Sequence, residues 1–519
     1  MIRALLTALL IALLAACQPV VREVRHIPEP MAADTIDRAE AALRDGEVDR
    51  ALQLLGSERE QVARAERGRW ARLRAEALSA QGEHFEAARQ LALVDADLPR
   101  TDQAANRAEI DRLLARLSDG DLSANAAMLP DGHPLYPFAG RALTSRGLPL
   151  PRAYDRDAFA EELLALRPPA AADGYRPPRQ LAVLLPMSGP LAAAAESVRD
   201  GILAAHFQEQ RQRPQIRFYD TGGSEAGSID AYQLATADGA DQVLGPLSRE
   251  EVSALLRQGG LQVPVLALNR SAEPGPPGSA SFALSPEEEG IAAAERLLQR
   301  GHSRIITVTA DDDSARRSLD AFRVRFQERG GVILAEARID ERMVDYGPAL
   351  QIARQEAGGA SAHDALFLAV RAPQGRLLVP QLAVAGFPAR PIAATSQILL
   401  GSGDPRQDRE LDGIEFPETP WILGRFDGLP DATRLGRELD SAAGPRARLF
   451  AFGFDAYRLV GYLDHLGRAP SEWINGATGE LRVDGFGNVL RSPGWGVFSG
   501  GRPRPALDGL LTPETVGRE

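Results

Sequence analysis

The sequence predicts a two-lobed α/β module preceded by an all-α helical-repeat domain. Three observations carry that expectation. From Gln180 onward, short apolar runs alternate with amphipathic stretches, the pattern of repeated βα units. From Asp34 to about Met128 the chain is rich in Ala, Leu and Arg, with apolar residues at helical spacing and few β-branched ones. Between them, residues 130–179 are broken by Pro and Gly. At 519 residues the chain is too long for one core, so two or three domains are expected.

Residues 1–16 read as a signal peptide: Arg3, then an apolar run from Ala4 to Ala16 that is shorter than the roughly 20 residues a spanning helix needs. Small residues Ala15 and Ala16 precede Cys17, the only cysteine, so the segment resembles a bacterial lipobox and no intrachain disulfide can form. Cys17 is the expected lipidation site, and diacylation gives stable anchoring where one chain is marginal. In the lipoproteins this pattern resembles, Asp after the cysteine favours inner-membrane retention, so Gln18 points to the outer membrane, facing the periplasm. Residues 17–33, with three prolines and no periodicity, read as a lipidated tether.

Residues 34–129 form the expected helical domain. RAEAALRDGEVDRALQLL (38–55) aligns with RAEALSAQGEHFEAARQL (74–91), sharing the turn glycines Gly46 and Gly82, spaced close to the roughly 34-residue tetratricopeptide period. A small residue, Ala51 or Ala87, follows each glycine by five positions. A weaker third copy surrounds Gly120. Tetratricopeptide repeats and generic helical hairpins both fit, and both stack antiparallel helices into a face suited to protein binding. Residues 130–179 are expected to be an irregular connector, with one helix at 156–166 and a linker at 167–179.

Residues 180–519 are the expected two-lobed module. LAVLLPM (181–187), QIRFYD (215–220), DQVLGP (241–246) and PVLALN (264–269) read as strands separated by helices. RIITVTA, GVILAEARI, DALFLAV (364–370) and PIAATS (391–396) repeat the alternation in a second series. In doubly wound sheets ligands bind beyond the carboxyl ends of strands. Three loops land there, and they supply the candidate ligand contacts Ser188, Gly189, Ser248 and Asn269. Free N–H groups where a loop enters a helix suit an anion, and Ser188 adds a hydroxyl.

The series PMSGPLAAAAESVRDGILAA, RFYDTGG, QVLGPLSREEVSAL and PVLALNR resembles the type I periplasmic-binding-protein fold. It is most similar to the penicillin-binding-protein activator lipoprotein A family, as are FALSPEEEGIAAAERLLQRG, LFAFGFDAYRLVGYL (449–463) and the hairpin-like ATGELRVDGFGNVLRSPGWGVF (477–498). The resemblance covers about two thirds of the chain. It implies an outer-membrane lipoprotein that binds and activates a bifunctional penicillin-binding protein, a peptidoglycan synthase. The N-terminal region, about 145 residues after the tether, is short for that family. The alternative is a lipid-anchored receptor for an amino-acid ABC importer, which shares the fold and the SGP loop. There Ser188 and Ser248 would grip a ligand carboxylate, with Tyr219, Asp220 and Asp404 near strand ends for the amine.

Chemistry is otherwise sparse. There is no lysine, so all 59 basic residues are arginine, which excludes P-loop, Schiff-base and Ser-Lys chemistry. The seven histidines show no metal-ligand spacing and no nucleophile elbow is present. No catalytic residue, metal ligand or cofactor is therefore expected. A net charge of −12 argues against nucleic acid and against peripheral binding to anionic lipid. Asp311-Asp312-Asp313 suggests either a cation site or a helix cap, and Glu287-Glu288-Glu289 reads as the first turn of a helix.

Overall fold

The structure, a computed structural model, describes residues 33–506 except 57–58, 147, 155–166, 168, 259–260, 272, 274, 276–277, 341, 360–361, 400–404 and 469–471. The signal peptide, Cys17, the tether up to residue 32, the helix expected at 156–166 and Asp404 lie outside the described residues.

Helices α1 (Ala33–Arg44), α2 (Val48–Leu54), α3 (Arg67–Ala80) and α4 (His84–Val94) carry the internal repeat. Gly46 and Gly82 adopt φ of 79° and 84°, the left-handed region open to glycine. Around them the same bonds recur: Glu47 N–H donates to Ala42 O at 2.8 Å and Glu83 N–H to Leu78 O at 3.0 Å. Ala51 and Ala87 are fully buried, as close helix packing requires. Helices α5 (Arg100–Ala115) and α6 (Asp119–Met128) extend the stack. Gly120 departs from expectation, because it sits in the first turn of α6 behind the N-cap Ser118, whose hydroxyl accepts from Asp121 N–H at 3.1 Å. The third copy therefore lacks the glycine turn of the other two.

The supposed irregular stretch 130–179 contains a further helix, α7 (Tyr136–Ser145). Its proline lies in the first turn, where a missing N–H costs no helical bond. Leu135, Tyr136, Phe138, Ala139 and Leu143 are buried in the helical core. The 167–179 linker is also packed down. Tyr175 is buried, Arg176 N–H donates to Gly461 O at 2.7 Å, and Arg167 reaches Gln242 Oε1 at 2.8 Å.

The first lobe runs β1 (Gln180–Leu185), α8 (Ala192–Gln208), β2 (Gln215–Asp220), α9 (Glu225–Ala237), β3 (Gln242–Leu244), α10 (Arg249–Arg257), β4 (Val265–Ala267) and β5 (Ala280–Ser281). Its strands form a parallel sheet in the order β2-β1-β3-β4-β5. The second lobe follows: α11 (Pro286–Gln299), β6 (Arg304–Ala310), α12 (Asp313–Glu328), β7 (Val332–Ile339), α13 (Gly347–Glu356), β8 (Ala365–Ala369), α14 (Ala372–Val384), β9 (Ile392–Ala394) and β10 (Glu415–Glu418). After α15 (Ala432–Glu438), the chain returns to the first lobe as α16 (Ala447–Arg468), which packs on α8. The short sheet of β11 (Ile474–Asn475), β12 (Glu480–Val483) and β13 (Val489–Ser492) precedes β14 (Gly494–Ser499) and β15 (Arg502–Pro505). These last two extend the second sheet, β15-β14-β10-β9-β8-β6-β7, as antiparallel strands with β15 at its edge.

Candidate functional site

β1 ends at Pro186 and its parallel neighbour β2 places Asp220 in register with Leu185. Asp220 Oδ1 accepts the N–H groups of Met187 (2.8 Å), Ser188 (3.2 Å) and Gly222 (2.9 Å). Burial alone would raise this carboxyl, but the Gly222 N–H and the hydroxyl and N–H of Ser188 together hold it below the ordinary aspartate value. The Met187 and Ser188 N–H groups of this loop are thus met by the chain's own Asp220 carboxylate. Gly189 is exposed at φ 81°, its missing Cβ facing Gly222 O.

Ser248 is committed as well. It caps α10 in a reciprocal box with Glu251, accepting from Glu251 N–H at 3.2 Å while its own N–H donates to Glu251 Oε2 at 2.9 Å. Asn269 Nδ2 donates to Leu247 O at 3.1 Å, which joins the second and third predicted loops, whereas Ser188 is tied to the Asp220 loop instead. Tyr219 turns its hydroxyl to Asp238 at 2.9 Å. Asp312 is a helix cap, accepting from Ala315 N–H at 2.9 Å. Among the described residues, no cluster of three or more His, Cys, Asp or Glu is placed to hold a metal ion.

Replacing Asp220 by Asn is expected to destabilise the first lobe by about 1 kcal/mol at neutral pH, through loss of charge from three hydrogen bonds. Because the folded carboxyl titrates below its unfolded value, its contribution is present above the unfolded pKa and fades as pH falls through the folded one. Urea unfolding of both proteins across that range should therefore converge in acid.

Side chains that sequence reasoning passed over join the pieces together. Arg270, in the third loop, donates to Ser281 O (2.7 Å), Val489 O (2.6 Å) and Glu288 Oε1 (2.7 Å), linking the first lobe, the hairpin and α11. Glu289 packs against Ser396, whose N–H and hydroxyl donate to it at 2.8 and 2.6 Å. Glu287 pairs with Arg317 of α12 at 2.7 Å. The three glutamates expected only to open a helix thus reach three different elements. Beneath them Arg448 of α16 crosses to the buried Glu418 of β10.

The helical stack docks on the tip of the β12–β13 hairpin. Phe138 meets Phe486 edge-on with centroids 4.6 Å apart, and the Arg141 guanidinium lies 4.7 Å from the centre of the same ring. Tyr154 wedges between Gly140 and Gly485, where any Cβ would strike its ring. Asp484 holds the tip by accepting from Phe486 N–H (2.9 Å) and Asn488 N–H (2.7 Å). An exposed aromatic inside an Asp-Gly-Phe-Gly turn was the one sequence signal for this contact.

Close by, Glu328 at the end of α12 faces Asp111, Arg112 and Arg116 of the stack and Arg325 of its own helix. Burial pushes its carboxyl up to about 7. The folded form therefore holds a proton that the unfolded chain releases, so stability falls as pH rises from about 4.5 towards 7. Replacing Glu328 by Gln should stabilise the protein by about 1 kcal/mol at pH 8, after discounting for solvent screening. The gain should vanish near pH 4, read by thermal unfolding at both values.

Residues 174–501, more than half of the chain, match the family described as "LppC putative lipoprotein". The chain is 26% identical over 496 residues to the penicillin-binding protein activator LpoA of Photobacterium profundum, covering 85% of this chain and 77% of that one. With the Vibrio vulnificus protein of the same name it is 26% identical over 347 residues, spanning 61% of this chain and 57% of that relative. The fold matches the crystal structure of full-length LpoA from Haemophilus influenzae with a TM-score of 0.55 at 19% identity, over 91% of this chain and 88% of that one.

Proposed function

The chain belongs to the LppC lipoprotein family, and from that premise we propose that it is a penicillin-binding-protein activator. It is lipidated at Cys17, anchored in the outer membrane, and acts through the periplasm on a bifunctional peptidoglycan synthase. The carrying observation is the similarity to the P. profundum activator, whose extent exceeds the α/β module and so includes part of the helical stack. Against the alternative receptor reading stands Asp220, which accepts the Met187 and Ser188 N–H groups of the loop that would hold a ligand carboxylate.

The function is regulatory, without catalysis by this chain. A module that binds the synthase better in its active conformation shifts the synthase towards that state. The stack–hairpin–lobe junction gives such a binder one defined shape to present. A paired assay separates the two readings. Immobilised synthase should retain the purified full chain, whereas a thermal-shift screen of the free amino acids should be flat, since a true receptor is stabilised by RT ln(1 + [L]/Kd). An amino acid that raises the unfolding temperature, with no synthase retained, reverses the proposal.

A further inference from the structure

A cavity of about 880 Å³ lies where the helical stack, α11 and α12 of the second lobe, and the hairpin meet. It is separate from the three loops at the strand ends of the first lobe, none of whose candidate residues lines it. Its size falls in the range of about 300–1,000 Å³ typical of small-molecule sites.

Its walls combine two features. Ile291, Val324, Leu490 and Trp495 give it an apolar surface, and Val324 is 49% exposed on a helix where water would otherwise be met by polar residues. Buried polar atoms of both signs stand around that surface without a hydrogen-bond partner. Arg296 Nη2, Arg482 Nε and Arg491 Nε are the donors; Glu288 Oε2, Glu295 Oε1 and Glu328 Oε1 are the acceptors. The side chains of Arg491 and Arg296 are only 5% and 9% exposed.

The ion pairs beside two of the acceptors are close enough to attract but too long for a hydrogen bond. Arg491 Nε stands 3.6 Å from Glu288 Oε2, and Arg325 Nε 3.6 Å from Glu295 Oε1, beyond hydrogen-bond reach. Glu288 and Arg296 keep other partners, in Arg270 and Glu415, but each buried atom left without a hydrogen bond costs free energy that a third body placed among them recovers. An inorganic anion would satisfy only the arginines. A purely apolar molecule would satisfy neither set. A short peptide with free termini brings a carboxylate for the arginines, an ammonium for the glutamates and a side chain for the apolar wall.

We propose that this three-way junction is a binding site for a short zwitterionic peptide. The site is lined by both the helical stack and the second lobe, so a bound peptide bridges the two. The proposal does not depend on the synthase reading, and its test needs no synthase.

The test is calorimetric titration of the full chain in detergent with the tripeptides Ala-Xaa-Ala, Xaa being Leu, Phe, Glu or Arg. Each is used with free termini and again with acetylated and amidated ends, with inorganic phosphate alongside. At least one free peptide should bind with Kd of about 1 mM or tighter, and blocking its ends should weaken it at least about tenfold. Val324→Trp, which fills the cavity from an exposed position, should abolish binding while leaving the unfolding temperature unchanged. The proposal is overturned if none of the four free peptides binds, if phosphate binds as well as the peptides do, or if binding survives either end-blocking or Val324→Trp.

Discussion

Gly201→Ala will destabilise the first lobe by about 3 kcal/mol or more, the upper end of what overpacking costs, although only one methyl group is added. Gly201 belongs to the VRDG stretch of α8, and Gly453 belongs to the FGFD stretch of α16. A Cβ on Gly201 would stand 2.0 Å from Phe450 O and 2.9 Å from Phe454 N; one on Gly453 would stand 2.0 Å from Val198 O. The obstacles are backbone atoms, so no rotamer change relieves them. The two helices must separate, and Val198, Ile202, Phe450 and Phe454, all buried in the shared core, lose contact. Gly467 near the end of α16 supplies the control. No atom lies within 4 Å of its Cβ position, so Gly467→Ala should be neutral or stabilising by up to about 1 kcal/mol. Urea unfolding followed by far-UV circular dichroism reads both. A loss within about 1 kcal/mol for Gly201→Ala would mean that the helices are not held at this separation.

Asp455→Ala should be comparably severe and should act at a distance. The Asp455 carboxylate is fully buried on α16, where it accepts Ala477 N–H at 2.8 Å, Thr478 N–H at 2.7 Å and the Thr478 hydroxyl at 2.6 Å. Truncation leaves three buried donors unmet, at about 1–3 kcal/mol each before relaxation. These donors begin the hairpin whose tip carries Phe486, so the helical stack should detach as the hairpin loosens. Small-angle scattering should show an increased radius of gyration, and trypsin should release the stack. Phe486→Ala separates the two effects, since it removes the docking contact and leaves the Asp455 bonds in place. It should free the stack with little loss of stability in the first lobe. A compact, protease-resistant Asp455→Ala protein would show that the hairpin does not hold the stack.

Much of the α/β module was legible because buried parallel strands declare themselves as continuous apolar runs. RIITVTA coincides with β6 and DALFLAV contains β8, while QIRFYD matches the edge strand β2 by alternation instead. The glycine turns of the repeat were legible for a different reason: Gly46 and Gly82 occupy backbone that other residues avoid. Helix α7 was missed because its proline counts as a breaker in sequence and is harmless in a first turn. At the Ser188 loop the partner of the backbone N–H groups was not legible. Asp220 lies 32 residues away, and only the parallel pairing of β1 with β2 brings it back. Arg270 and the three glutamates were undervalued for the same reason, since each partner belongs to another element. The cavity at the three-way junction has no local signature at all.

The most direct test of the account is the rate of the synthase itself. Glycan polymerisation and peptide crosslinking by a bifunctional penicillin-binding protein should be followed with and without the purified full chain, in detergent, at saturating concentration. Acceleration of at least one activity by about fivefold or more is expected, the effect of a coupling of about 1 kcal/mol between binding and the active state. Retention of the protein on the synthase with neither rate changed, or no retention at all, would contradict it.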